Sequence, residues 1–564
     1  MMNKDQLAES IRKYALQNAI RFKGKANPGA VLPKVLGEDP SLKDKIKEIM
    51  PVINKIVAAV NALSVDAQLA ALQESAPELL EKKTEERNIF AVLNIKEGQQ
   101  IKTAFPPGPE KYPHIGHAKA CLLNYLLAKK YDGKFVLRFE DTNPTLVKAI
   151  FYDVLLDNLS WLGVQWDELH YASDHMKLFY QFAEKIIKEG KAYMCFCNED
   201  AIKKSRAEGT ACACRDNSVE ENERIWKEFP AYEEGKAILR LKIDLQHQNT
   251  TMRDPTIFRI IRTPHARHGT KYTVWPNYDF QNAIMDGYFG ITHRVRSKEF
   301  ELRSELQRYI QDMLGLSRTT TYEFARFNLE GVESSGRIIR EKVKSGEFVG
   351  WDDPRLTTIV ALRRRGFLPE AIKSFVIATG MTKSESTLTW DDFIVHNKRI
   401  LDKTAKRFFF IHLPEAITVT DAPAQQVTLR MHPTEELGER QFVTGERFFI
   451  AKSDALELKQ GALYRLMDCL NFRKEDDGFV FDSLEYERFK KQGKRIMHWL
   501  PEHGNVDVEI RMHDQSMLKG IAEHTISQLK VGDVIQFERF AFCRLDAIEE
   551  KDGKKLYKFW YTHN

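Results

Sequence analysis

Apolar runs such as Ile359-Val360-Ala361-Leu362 fall far short of the roughly 20 residues that a membrane-crossing helix needs, which argues against a membrane role. The opening residues, Met1-Met2-Asn3-Lys4-Asp5-Gln6, lack the apolar core and cleavage site of a secretory signal, so a cytoplasmic protein is expected. Cysteine is scarce, 7 in 564 residues, and a disulfide scaffold is excluded. Neither sign of charge dominates. The 85 Lys and Arg against 80 Asp and Glu leave a formal net charge of +5, so only clustering of charge could argue for nucleic-acid binding. There is no internal repeat and no low-complexity tract, which removes solenoids and tails from consideration. What remains is an ordinary globular composition, 43% apolar and 29% charged, on a chain long enough for roughly three to five domains.

Residues 1–98 are expected to be a polar helical appendage that packs or binds a protein partner. Leu42–Met50 and Val52–Val60 carry apolar residues at spacings of three and four, the helical period, while Lys23–Ala30 has loop composition. From Gln100 the texture changes. Ile101–Phe105 predicts a strand, Pro106-Pro107-Gly108-Pro109 breaks it, a helix runs from about Gly116 to Tyr131, and Lys134–Phe139 predicts a second strand. That βαβ order implies an α/β fold with an open parallel sheet. A further strand-rich block is expected over Thr273–Arg296. Helices with basic faces are expected over 351–410, and short strands of barrel character beyond Ile411. The expected domains are 1–98; 99–330, with a cysteine-containing insertion at about 195–265; 331–410; and 411–564.

His114 and His117 stand three apart at the start of the predicted helix. That spacing at a helix N-terminus places both rings where backbone amides and the dipole favour phosphate. Gly116 between them permits close approach of backbone and nucleotide. A lone His-x-x-His is weak evidence. The charged strand Arg138-Phe139-Glu140-Asp141-Thr142-Asn143 following at the right distance makes it specific. A second kind of site is written in Cys195-x-Cys197 and Cys212-x-Cys214, separated by fourteen residues. Four thiolates in two tight pairs suit tetrahedral zinc with no open position, a structural site; four reduced cysteines are the alternative. The runs Arg363-Arg364-Arg365, Lys398-Arg399 and Lys490–Arg495 are candidates for tracking phosphates.

The stretch Phe105–Asn143 with Pro113-His114-Ile115-Gly116-His117, and the later block Gly350-Trp351-Asp352-Asp353-Pro354-Arg355-Leu356, resemble the glutamyl/glutaminyl family of class I aminoacyl-tRNA synthetases in its archaeal and eukaryotic branch. The resemblance implies a Rossmann-like catalytic domain, a helical connecting domain and β-barrel anticodon domains. It also implies ATP with Mg²⁺, glutamate, and tRNA(Glu) as substrates, with tRNA(Gln) as a second acceptor in many archaeal members. By this similarity His114, Gly116 and His117 contact ATP, Arg326 and Phe327 line the adenine site, and Glu140 holds the α-amino group. Tyr278 and Arg296 would hold the side chain of the amino acid. Arg296 stands where glutamate enzymes carry arginine and glutamine enzymes a small neutral residue, so glutamate is favoured.

Two departures stand out. The family's arginine ahead of Phe105 is replaced by Ala104, with Lys102 the nearby candidate substitute. The catalytic lysine of the family's mobile loop falls, counting back from Gly350, within Ser334-Ser335-Gly336-Arg337-Ile338, on Gly336. Arg337 is the expected replacement and Arg340 a weaker one. A glutamine–tRNA ligase, and a tRNA-binding paralogue without ligase activity, therefore stay open as alternatives.

Overall fold

The computed structural model describes residues 4–22, 24–76, 79, 88–333, 335–476, 478–551 and 553–564. It divides into two units, Met1–Asn88 and Ile89–Asn564. In the first, α1 (Lys4–Arg21), α2 (Pro28–Glu38), α3 (Ile46–Asn61) and α4 (Val65–Ser75) enclose a small core of Ile11, Leu16, Val35, Ile53, Val57 and Leu72. Two local expectations are corrected here. The expected loop ends early, because Asn27 caps α2 and Pro28 occupies its first turn, a position where a missing N–H costs nothing. The helix expected on each side of Pro51 is one helix, α3, because Ile49, Ile53, Val57 and Val60 form a single buried stripe across the proline.

The second unit begins with Ile89–Ile95, whose Phe90 is buried in the core of the parallel-sheet region, so this segment, expected to be part of the helical appendage, belongs to the catalytic side of the boundary. The chain then runs β1 (Lys102–Phe105), α5 (Ile115–Lys130), β2 (Lys134–Phe139), α6 (Ile150–Trp161), β3 (Glu168–Tyr171) and α7 (Met176–Lys188). The insertion holds β4 (Ala192–Cys195), α8 (Glu199–Glu208), α9 (Val219–Glu228), β5 (Ile238–Leu241), β6 (Thr256–Ile260) and β7 (Val274–Pro276). Then come α10 (Tyr278–Tyr288), β8 (His293–Ser297), α11 (Glu301–Leu314) and β9 (Thr320–Phe324). A connecting region comes next: β10 (Phe327–Leu329), α12 (Gly336–Lys344), α13 (Ile359–Arg365), α14 (Pro369–Thr379), β11 (Ser386–Leu388) and α15 (Trp390–Thr404).

Five strands form one sheet in the order β3-β2-β1-β8-β9, all parallel. The order runs outward in opposite directions from the β1/β8 junction. Loops leaving these two strands diverge there, and the crevice between them is where open parallel sheets bind ligands. Asn124 of α5 closes the junction beneath. Its side chain accepts from Val295 N at 2.9 Å and donates to Val295 O, while its carbonyl accepts from the Thr103 hydroxyl at 2.8 Å. Gly133 lets β2 start close to β1, since a Cβ there would lie 2.1 Å from the Ile101 carbonyl oxygen. Leu123, Leu127, Phe135, Leu137, Phe324, Leu362 and Phe375 fill the core.

The strand-rich expectation for 273–296 needs correction: an 11-residue helix, α10, separates β7 from β8. Beyond α15 lie two seven-stranded sheets. The edge strands of one are Arg407–Phe408 and Phe410–His412, and those of the other are Gly493–Met497 and Leu500–Pro501. In each case the two edges are neighbouring pieces of chain, so each sheet comes round on itself as a barrel, as expected of this region. Among the described residues, no helix is long and apolar enough to cross a membrane.

Candidate active site

The two distant sequence blocks meet. The segment before α5 forms an isolated bridge between His114 and Thr358. Ile115 N donates to Thr357 O and Ile359 N to Pro113 O, both at 2.9 Å, and Tyr112 stacks on Trp351 with ring centroids 5.4 Å apart. Asp353 explains why that block is acidic. It is buried and accepts from Val349 N, Arg355 N, the Arg355 guanidinium and Gln515 Nε2.

His114 and His117 stand at the mouth of α5 with ring centroids 4.0 Å apart. Each ring's Nδ1 accepts a backbone hydrogen bond: His114 from Gly116 N at 3.0 Å, His117 from His114 N at 3.3 Å. An imidazole nitrogen that accepts carries no proton, so in both rings the proton sits on Nε2. Burial holds both neutral, lowering His114 to about 4 and His117 well below the ordinary histidine value, with Lys111 and Arg326 adding repulsion. Gly116 is required by the ring it flanks, because a Cβ there would approach His114 Cε1 to 2.8 Å. The result is a pair of neutral N–H donors beside a helix N-terminus, an arrangement suited to phosphate oxygens.

These donors face a cavity of about 700 Å³. Phe105, Gly116, Lys119, Phe324, Arg326, Phe327, Arg294, Arg296 and Tyr278 are among its walls. Arg326 pairs with Glu299 at the rim. Lys119 is buried beneath Phe324 and Phe327, its ammonium 4.9 and 5.3 Å from the ring centroids, and burial lowers it to about 8. A second cavity of about 500 Å³ adjoins the first at Pro106, Gly108, Lys111, His117, Tyr278 and Phe300, and is walled also by Glu140, Thr142, Asn143 and Gln281.

Between the two cavities lies a buried charge network. Arg138 donates to Asp286 at 2.8 Å and to Glu140 Oε1 at 2.9 Å. Arg294 pairs with the other Asp286 oxygen and donates to Tyr278 at 3.4 Å. Asn282 donates to Glu140 Oε1 at 3.2 Å. Among the described residues only one Glu140 oxygen is held, and its Oε2 is buried without a hydrogen-bond partner. Burial raises the Glu140 carboxyl, with Arg138 and Arg294 pulling the other way. Arg296 is less free than expected, since its terminal nitrogens donate to Gln307 at 2.9 Å and to Ser304, with Glu323 nearby. The Nε of Arg294 and the Gln281 amide nitrogen are buried without a hydrogen bond among the described residues, and so is the Arg296 Nε, which has Glu323 Oε1 at 3.6 Å.

The structure therefore brings together His114, Gly116, His117, Arg326, Phe327, Tyr278 and Arg296 around one cavity, with Glu140 in the next. It does not bring Arg337 there. Arg337 and Arg340 lie on α12, and neither is among the lining residues; Gly336 is, at a small recess it shares with Lys111, His114 and Trp351. Ser334 lies outside the described residues. Lys102 does not stand in for the arginine missing at Ala104: it pairs with Glu168 at 2.8 Å, while Ala104 is fully buried in the sheet. Arg294 and Lys111 carry no motif of their own in the sequence. Arg294 sits two residues before Arg296 and so on the same face of β8, and Lys111 is a cation inside the proline-rich approach to the histidines.

The cysteines also converge. The four Sγ atoms of Cys195, Cys197, Cys212 and Cys214 lie within 4.8 Å of one another. Cys195 and Cys212 are 3.9 Å apart, close to the roughly 3.8 Å that tetrahedral geometry demands with Zn–S bonds of about 2.3 Å. The buried Arg240 guanidinium lies 3.9 Å from both of these sulfurs, countering the negative charge of a four-thiolate set. The cluster is compatible with structural zinc.

Among the basic runs, Arg365 is buried and donates to Pro354 O and Thr562 O at 2.9 Å. Arg364 pairs with Asp352 and Asp546, and Arg363 with Asp157. This run is thus a joint between α13 and the barrels, not a free phosphate track. Lys398 and Arg399 are exposed, as are Lys490, Lys491 and Lys494, whereas Arg495 pairs with Asp454 at 2.8 Å.

The family model of the class I tRNA synthetases for E and Q, catalytic domain, matches residues 100–403. Its anticodon-binding domains match 405–487 and 496–546. A glutamate–tRNA ligase of Pyrococcus furiosus is 41% identical over 97% of this chain and 98% of its own length. One from Pyrococcus abyssi is 42% identical over the same shares, and one from Methanococcus maripaludis 36% identical over 99% and 100%. With a catalytic match spanning the histidine pair and the parallel sheet, anticodon-binding matches on the barrels and end-to-end relatives of this kind, the chain belongs to the class I tRNA synthetases of the E and Q family.

Proposed function

We propose that the protein is a glutamate–tRNA ligase, joining glutamate to the 3′ end of tRNA(Glu) with cleavage of ATP to AMP and pyrophosphate. The observation that carries this reading is the set of buried atoms at the cavity junction that make no hydrogen bond among the described residues. Glu140 Oε2 offers a lone acceptor for an ammonium, and the Nε groups of Arg294 and Arg296 offer donors for carboxylate. An amino acid with an acidic side chain satisfies all three, whereas a carboxamide leaves a guanidinium facing an uncharged group. The names of the archaeal relatives agree.

In activation, a glutamate carboxylate oxygen attacks the α-phosphorus of ATP, the bond to the bridging oxygen breaks, and pyrophosphate leaves with the electron pair. His114 and His117 serve as neutral Nε2–H donors to the phosphate oxygens, where negative charge grows. Phe327 and Arg326 border the adenine end. In transfer, the 2′-hydroxyl of the terminal adenosine attacks the adenylate carbonyl and AMP departs. The chemistry magnesium would supply, bound with ATP, is neutralisation of phosphate charge. The four cysteines would hold zinc, which ties β4 to the segment at 212–214 and takes no part in the chemistry. One zinc per chain by elemental analysis, lost with Cys212→Ser, is the expected result.

The test is tRNA-dependent charging with labelled glutamate and, separately, glutamine, offered with tRNA(Glu) and tRNA(Gln). Transfer of glutamate supports the assignment, and its transfer to tRNA(Gln) as well would extend the acceptor range. Transfer of glutamine alone overturns the reading of Arg296. Tight tRNA binding with no transfer of either would leave a binding protein.

A further inference from the structure

Two neutral histidines supply hydrogen bonds but no net charge, and a triphosphate with its developing anions calls for a cation. The cationic side chains on the walls of the large cavity are Lys111, Lys119, Arg294, Arg296 and Arg326. Arg294 is committed to Asp286, Arg326 to Glu299, and Arg296 to Ser304 and Gln307 beside Glu323. Lys119 is enclosed under two phenyl rings, its ammonium 4.9 and 5.3 Å from their centroids. Lys111 alone of these has neither an ion pair nor an aromatic cover among the described residues. It also lines both neighbouring recesses. Its charge reaches His114 and His117, on which it acts repulsively. Gly336, at the start of α12, faces it; a Cβ there would be 3.5 Å from Lys111 Cδ.

We propose that Lys111, on the loop leaving β1, is a catalytic residue whose ammonium binds the triphosphate of ATP and neutralises it during glutamate activation, in place of a cation on the loop before α12. This rests on the ligase reading above. The ammonium keeps its proton throughout. It stabilises the charge that grows around the α-phosphorus and the pyrophosphate leaving with the bond pair, and no proton transfer is required of it.

The experiment measures tRNA-dependent glutamate activation by the full-length protein and its Lys111→Met, Lys111→Gln and Lys111→Arg variants, with melting temperatures alongside. The two neutral variants are expected to lose about 10²–10³ in kcat, the cost of one such donor, with KM for glutamate unchanged and melting within a few degrees of the parent. Lys111→Arg restores most of the rate. In the Lys111→Met background, Gly336→Lys places an ammonium on the facing wall and recovers at least tenfold. Neutral variants as fast as the parent overturn the proposal, as does a loss that appears equally in KM for glutamate and is not restored by arginine. A parent protein that charges no glutamate at all would instead sink the ligase assignment, so the two failures are distinct.

Discussion

Backbone amides and burial together decide what His114 and His117 can do. With both Nδ1 atoms accepting from the chain and both rings held neutral, His114 down to about 4, the donors are set throughout the neutral range. The activation rate is therefore expected to stay within about twofold from pH 8 to about 5.5, with no acid limb near the ordinary histidine value of about 6.5. A limb at 6.5 that vanished in His114→Asn would show that the ring titrates in the free enzyme. Glu140 makes a second case. Its Oε1 is fixed by Arg138 and Asn282 while Oε2 has no partner. Exchanging the carboxylate for an amide in Glu140→Gln keeps the shape and removes a charge-assisted bond to the substrate ammonium. Such bonds contribute about 1.5–3 kcal/mol, so kcat/KM for glutamate should fall roughly 10–150-fold while KM for ATP is unaffected. An equal fall in apparent affinity for ATP would place Glu140 elsewhere.

Among the elements, α13 separates charge that binds partners from charge that holds the molecule together. Arg365 is buried at the end of this helix, its guanidinium bridging the carbonyls of Pro354 and Thr562. Arg365→Met should cost about 2–4 kcal/mol by leaving those carbonyls unpaired, seen as a lower melting temperature. It should leave the salt dependence of tRNA binding unchanged. Replacing Lys490, Lys491 and Lys494 together by alanine should do the reverse, flattening the slope of log affinity against log salt by about 0.7–0.9 for each phosphate no longer neutralised. The basic run at 363–365 read as a candidate phosphate track in the sequence because its partners, Asp546 and Thr562, come from far along the chain. For the same reason the pairing of Arg440 with Glu523 was not legible. By contrast β1, α5 and β2 could be read almost to the residue, since the Pro106–Pro109 break marks the turn and the strand–helix–strand order is local. Helix α10 was hidden because Gln281, Asn282 and Asp286 are buried along with its apolar residues, so polarity does not mark an outward face. The histidine pair and the four cysteines were legible because their spacing is local. Lys111 and Arg294 were not, since what distinguishes them is the absence of a partner in one case and a remote Asp286 in the other.

For the molecule as a whole, the same physics that keeps histidines neutral should set its acid limit. His498, buried against Phe409 near Arg539 and Arg440, is held at about 3 by burial. His563, 3.1 Å from Asn397 where the C-terminal strand meets α15, is held at about 4, also chiefly by burial. With His114 and His117 these are four imidazoles that stay unprotonated in the fold where the unfolded chain, titrating near 6.5, takes up protons. Between pH 6.5 and about 4 the unfolded state binds more protons than the native state, so stability falls as pH falls. Each group contributes at most about 1.36 kcal/mol per pH unit across that window. Above pH 6.5 both states are unprotonated at these sites and the contribution is constant. The melting temperature should accordingly decline from pH 6.5 toward 4, with little change on their account between 7 and 8. His498→Gln, which cannot take up a proton in either state, should make the decline shallower by about a quarter if the four act alike. A decline of unaltered steepness in that variant would mean that carboxylates, and not these buried rings, govern the acid limit.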